Sequence, residues 1–174
     1  MSTLKVGTIQ DHANGNTAIS ITSAGIVTQP NKIIFRAYMD ASVGNQSIGS
    51  GGAVKVTLNQ TQFNIGNCYA TGTGRFTPTV AGYYNITFQA RVDSSTPDFV
   101  LARIYKNGSL YSDSRASESN AANSYPSAVN NSIIHMNGSG DYLEFYTNHN
   151  VGSAANFSAK GVEHPAWAQG YLIG

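Results

Sequence analysis

The feature that most constrains this chain is a recurrence of short runs in which β-branched or aromatic residues alternate with polar ones, set between turns rich in Gly, Asn and Ser. Such runs fall at residues 4–9, 18–21, 33–39, 54–58, 75–77, 83–92, 99–106, 132–136, 142–147, 156–162 and 167–173. A period of two sends successive side chains to opposite faces of a sheet, and almost no stretch repeats at helical spacing over ten residues. The chain is therefore expected to be all-β, with strands spaced as in a sandwich or barrel. Asn14-Gly15, Asn107-Gly108 and Asn137-Gly138 accept positive φ and can reverse the chain tightly. Gln29-Pro30-Asn31 interrupts the pattern, so we divide the chain into residues 1–30 and 31–174.

The first segment supplies only one or two hairpins with one apolar face, built from Val6, Ile9, Ile19 and Ile21. An isolated hairpin is marginal in water, so that face is expected to bury itself. Packing against further copies, as a stem or anchor, is the favoured arrangement, and packing on the chain's own second segment is the other.

Charge excludes several partners. Of 174 residues 11% are charged, against roughly 25% in an ordinary soluble domain. Lys and Arg (10) nearly balance Asp and Glu (9) without forming a run, which leaves neither the footprint of nucleic-acid binding nor a polybasic membrane patch. Apolar stretches are a few residues long, far below the roughly 18 that span a bilayer, and the first residues carry no apolar leader core, so no membrane insertion is expected. Solubility must come from Ser, Thr, Asn and Gly. The lone Cys68 forms no internal disulfide and is expected to be a buried apolar residue.

The stretch from Gly74 to Val92 contains Phe76, Pro78, Gly82, Tyr84 and Phe88. It resembles the Phe-x-Pro-x-x-x-Gly-x-Tyr-x-Phe segment of the globular head of complement component 1, subcomponent q, within the tumour-necrosis-factor-like jelly rolls, with the last aromatic displaced by two residues. Lys106-Asn107-Gly108 is similar to that family's hairpin, Gly140-Asp141-Tyr142-Leu143 to its Gly-Asp-x-Val motif, and Trp167 to Ile173 to its closing Phe-x-Gly-x-Leu strand. Ile33 to Tyr38 suits its first strand, without the usual Pro. The resemblance covers about residues 31–174. It implies a jelly-roll β-sandwich of ten strands that forms a homotrimer, with Tyr171, Leu172 and Ile173 near the three-fold axis. Residues 2–25 more weakly resemble segments at the starts of tailed-bacteriophage structural proteins, notably those of cyanophages.

No catalytic constellation emerges. His12, His135, His149 and His164 are scattered, without metal-ligand spacing. The acidic residues lie near turns and lack a calcium-loop pattern, so neither cofactor nor metal is expected. Recognition fits better than reaction. Residues 111–125 read as a long polar loop in which Tyr111, Arg115 and Tyr125 supply stacking and hydrogen-bonding groups, and Asp93 and Asp98 bracket a second loop.

The resulting expectation is a non-enzymatic homotrimer on the external surface of a phage virion. It would serve as a short tail fibre or spike adhesin recognising a host cell-surface glycan, or as a capsid decoration protein bound to other capsid or tail proteins. The other class of function is a bacterial or secreted soluble binding module of the same fold.

Overall fold

A computed structural model describes residues 5–40, 42–43, 46–92, 99–117, 126–150, 155–156 and 166–173. The chain forms two compact units, Met1–Lys32 and Ile33–Gly174.

The first unit is a three-stranded antiparallel sheet of β1 (Thr8–Gln10), β2 (Thr17–Ile21) and β3 (Val27–Thr28), in the order β1-β2-β3. Asp11 organises its first turn: Oδ1 accepts from Ala13 N–H, Oδ2 accepts from Asn14 Nδ2, and Gly15 takes φ 67°. Thr22 closes the second, its hydroxyl accepting from Ile26 N–H at 3.1 Å. Val6 lies ahead of β1, while the register pairs Ile9 with Ile19 and Ile21 with Val27.

The second unit contains β4 (Ile34–Tyr38), β5 (Ser47–Ile48), β6 (Val54–Lys55), β7 (Gln60–Ile65), β8 (Tyr69–Ala70), β9 (Arg75–Phe76), β10 (Gly82–Arg91), β11 (Phe99–Lys106), β12 (Ser109–Ser117), β13 (Ser127–Met136), β14 (Leu143–His149), β15 (Ala155–Asn156) and β16 (Trp167–Leu172). Five strands form one sheet in the order β13-β10-β16-β4-β7. The other runs β12-β11-β14-β9-β8, with β6 paired to β14. Neighbours are antiparallel throughout, and consecutive strands repeatedly land in different sheets, which makes the unit a jelly-roll sandwich.

Alternation fixes the core. Tyr84, Ile86, Phe88 and Ala90 of β10 point inward and are fully buried, as are Val100, Ala102 and Ile104 of β11. Phe35 of β4 stacks on Tyr69 (5.4 Å) and Phe76 (4.7 Å), and Phe88 meets Phe145 of β14 at 5.1 Å, so aromatic rings join the two sheets. Phe88, two residues later than the resemblance leads one to expect, stays in the core because a shift of two preserves the face. Ile86 fills the intervening inward position. Cys68 is buried as expected, and burial pushes its thiol up to about 11.

Several boundaries differ from the sequence reading. Residues 111–117 are not loop but the body of β12. Strand β13 begins at Ser127 instead of Ser132, and β3, β5, β7 and β8 are additional strands. Only Asn156 of the 156–162 run falls among the described residues, at the end of β15.

Candidate interaction faces and the loop junction

The outward face of the five-stranded sheet is ordered into rows by its register. One row reads Ile133, Asn85, Tyr171, Ile34, Ile65 across β13-β10-β16-β4-β7. Beside it stand Tyr83 with His135, their rings 5.2 Å apart, and Ile173, whose N–H donates to Tyr83 O. Tyr83 and Ile133 are more than half exposed, at 56% and 58%, and Tyr171, Ile173 and Ile65 are each over 40% exposed. A concentration of large apolar side chains on one sheet face is the mark of an interaction surface, whereas scattered single ones are not.

The next row is polar and tied together across β13-β10-β16-β4, before ending on Phe63 of β7. Asn131 Nδ2 donates to Thr87 Oγ1 (2.6 Å) and Asn85 Oδ1 (3.0 Å), and Arg36 Nη1 donates to Gln169 Oε1 (2.7 Å). The Arg36 guanidinium also lies 4.6 Å over the Trp167 ring. Of the three C-terminal residues that the resemblance places near a three-fold axis, Tyr171 and Ile173 are exposed here. Leu172 instead faces inward and packs against the core beside Tyr84, because strand alternation separates it from its neighbours.

The outward face of the six-stranded sheet is built differently. Glu144, only 6% exposed in its side chain, accepts from Lys55 Nζ at 2.6 Å and Arg75 Nε at 2.9 Å. Burial pushes its pKa up, but the two cationic donors outweigh burial and hold it below the ordinary carboxylate value. Arg75 stacks on Tyr142 (4.0 Å), and Tyr105 on Tyr146 (4.2 Å). Further along, Arg115 lies over Phe99 (4.5 Å) and Arg103 approaches Asp113 at 4.0 Å. Arg103 Nε and Asn148 Oδ1 are buried without a hydrogen-bond partner among the described residues.

The expected recognition loop is therefore revised. Arg115 belongs to this sheet face, its Nε donating to Ser117 Oγ. Tyr111 leans across the sandwich edge, its hydroxyl 3.4 Å from Ile133 O on β13. A continuing strand holds both, because β12 pairs with β11 as far as Ser117 opposite Phe99. Tyr125, Asp93 and Asp98 lie outside the described residues.

A third feature joins two loops. In the Asn107-Gly108 hairpin, Asn107 Nδ2 donates to Asp141 Oδ1 (2.7 Å), while Asn107 Oδ1 accepts from Tyr142 N–H (2.9 Å). Lys106 Nζ sits 2.9 Å from Asp141 Oδ2 and donates to His135 O. Asn137 Oδ1 in turn accepts from the N–H groups of Ser139, Gly140 and Asp141, each at 3.0 Å. Hydrogen bonds from Asn107 and Lys106 bring the Asp141 carboxyl down to about 2. Two of the sequence landmarks, 106–108 and 140–143, are thus one physical junction.

His149 is buried with Nε2 3.0 Å from Ile48 O, His135 faces Tyr83, and His164 lies outside the described residues. Among the described residues no group of three His, Cys, Asp or Glu side chains could hold a metal ion. The Lys55–Glu144–Arg75 cluster was invisible to sequence reasoning, since its members come from three strands far apart in the chain. The only local signal was an acidic residue between two inward apolar ones, Leu143 and Phe145.

Comparison with known proteins agrees with this architecture. The family described as C1q domain matches residues 40–159. Among solved structures, the globular domain of zebrafish complement 1qA superposes with a TM-score of 0.55 at 14% identity, covering 82% of this chain and 98% of that one. The Eiger TNF of S. frugiperda gives 0.61 at 10% identity, covering 83% and 94%, and murine APRIL gives 0.57 at 11%, covering 82% and 99%. No curated protein matches the sequence.

Proposed function

Because this chain belongs to the C1q domain family, whose domains are non-enzymatic binding modules, we propose that it works as a homotrimer joined through the outward face of its five-stranded sheet. One observation carries this reading: Tyr83, Ile133, Tyr171, Ile173 and Ile65 stand exposed on a single face, which a monomer would leave in water. At roughly 25 cal/mol per Å² of apolar surface removed from water, covering such a face is a strong drive to associate. The polar row of Asn131, Thr87, Gln169 and Arg36 beside it has already satisfied much of its hydrogen bonding within the chain, which lowers the cost of covering it.

Light scattering of the purified chain at micromolar concentration tests this directly. Three copies of an 18.4 kDa chain weigh about 55 kDa, and that mass is expected. The double variant Tyr83→Asp/Ile133→Asp should run as a monomer with an unchanged β circular-dichroism spectrum. A monomeric parent chain refutes the trimer.

The more specific assignment we make is to the exterior of a bacteriophage particle, as a short tail fibre or a capsid decoration protein. It is supported by the similarity of residues 2–25 to the starts of phage structural proteins and by a polar surface that relies little on charge. Immunogold labelling of particles from a lysate of cells producing the chain is the test. Label on the particle surface is expected, and label confined to the soluble fraction favours the free binding module.

A further inference from the structure

The three-stranded unit at the start of the chain has no core of its own. None of its described residues, 5–32, is buried. Yet its two faces are unlike. The register puts Ile9, Ile19, Ile21 and Val27 on one side and Thr8, Ser20 and Thr28 on the other. On the apolar side Ile9 is 50% exposed and Val27 62%. A three-stranded sheet of this size needs its apolar face covered to be stable, and chains below about 40 residues commonly meet that need by associating.

We infer that the face of Ile9, Ile19, Ile21 and Val27 is a self-association surface, covered by the same face of two further copies of this chain. Three arguments select a second copy over an unlike protein. The face carries no charged residue: Lys5 precedes the sheet, Asp11 lies in the turn after β1, and Lys32 follows the last strand, so nothing on it would choose a partner by electrostatic complementarity. Every copy brings an equal apolar area, as closed symmetric assembly requires. Finally, a trimer of the second unit would hold three such faces at an effective concentration of about the millimolar range, where a weak contact becomes populated. This last argument rests on the homotrimer proposed above. The first two do not.

The experiment uses the full chain with one introduced cysteine, either Ile21→Cys on the apolar side or Ser20→Cys on the polar side. The native Cys68 is buried with a raised pKa and stays silent towards oxidation. After mild copper–phenanthroline oxidation, Ile21→Cys is expected to give disulfide-linked dimers in at least five-fold greater yield than Ser20→Cys, and light scattering reports the assembly separately. A mass of three chains with equal crosslinking at both positions, or with none, overturns this inference and leaves the trimer of the second unit standing. A monomeric mass overturns both, and a mass of three chains that persists in Tyr83→Asp/Ile133→Asp, with crosslinking specific to residue 21, overturns only the face proposed for the second unit. If Ile21→Cys perturbs the sheet, Val27→Cys on the same face provides the second reading, with Thr28→Cys as its control.

Discussion

Replacing Gly170 by alanine probes how closely the central strand of the five-stranded sheet can be packed. Gly170 points into the sandwich between Phe35 of β4 and Ile86 of β10. A Cβ there would overlap Ile86 Cδ1 and stand 3.0 Å from both Asn85 O and Phe35 Cε1. The Ile86 methyl can swing away. The Asn85 carbonyl belongs to the β10–β16 pairing, and the Phe35 ring is stacked on Tyr69 and Phe76, so neither can move without disturbing other contacts. Overpacking of this kind costs about 1–3 kcal/mol, while the reduced freedom of the unfolded chain returns about 0.4–1 kcal/mol, since the φ of Gly170 lies outside the left-handed region. A net loss of about 1–2 kcal/mol follows, or roughly 2–8 °C in Tm for a chain of this length. Thermal unfolding followed by circular dichroism measures it. Pairing with Ile86→Val, which removes the overlapping methyl, should recover part of the loss in a double-mutant cycle. Because Tyr171 follows Gly170 on the outward face, the variant's assembled mass should also become more sensitive to dilution. A Gly170→Ala protein as stable as the parent would refute the packing argument.

Gly138→Ala should be worse. Its φ of 73° is already left-handed, and the new Cβ would lie 2.5 Å from Ala81 N and 2.8 Å from Val80 C, both backbone atoms, so a loss of about 2–4 kcal/mol is expected in urea unfolding. The acid limb of stability should depend on Asp141. Its folded pKa, about 2, is depressed below the ordinary value, so its contribution is complete above about pH 4 and is lost as the pH falls towards 2. Asp141→Asn should lower stability at pH 7 and flatten the pH dependence between 4 and 2, with Trp167 fluorescence reporting unfolding. An unchanged acid midpoint counts against this role.

Much of the sandwich was readable because its inner strands obey a strict alternation. In β10, Tyr84, Ile86 and Phe88 are inward and Asn85, Thr87 and Gln89 outward, as an isolated reading predicts. The pattern fails where the core itself turns polar. In β13 the sequence pattern starts five residues late because the inward positions begin with Ala128, Asn130 and Ser132. Asn130 is buried at no great cost, since Nδ2 donates to Ala102 O and Oδ1 accepts from the hydroxyls of Ser112 and Ser132. The same polar closure of the sandwich edge hides β12 from the sequence: Ser112, Ser114 and Ser117 carry no hydrophobic signal, yet pair along β11. β7 escaped notice as an edge strand whose Phe63 and Ile65 remain partly exposed. The interaction faces were only partly legible, because neighbours such as Ile133, Asn85 and Tyr171 are brought into line by register, a property of pairs of strands.

The loop junction bears on how this architecture is inherited and altered. Asn107, Asn137 and Asp141 are short polar side chains of the kind that drift freely on most surfaces, but here each one's hydrogen bonds are satisfied by the other loop or by the turn it shapes. Exchanging the 106–108 hairpin alone leaves the Asp141 carboxylate with only the Asn137 N–H, and exchanging the 137–142 turn alone takes away both side-chain partners of Asn107 and leaves Lys106 with only His135 O. Anyone transplanting loops onto this scaffold should therefore move the two as a cassette, and treat that end of the sandwich as a poor site for insertions.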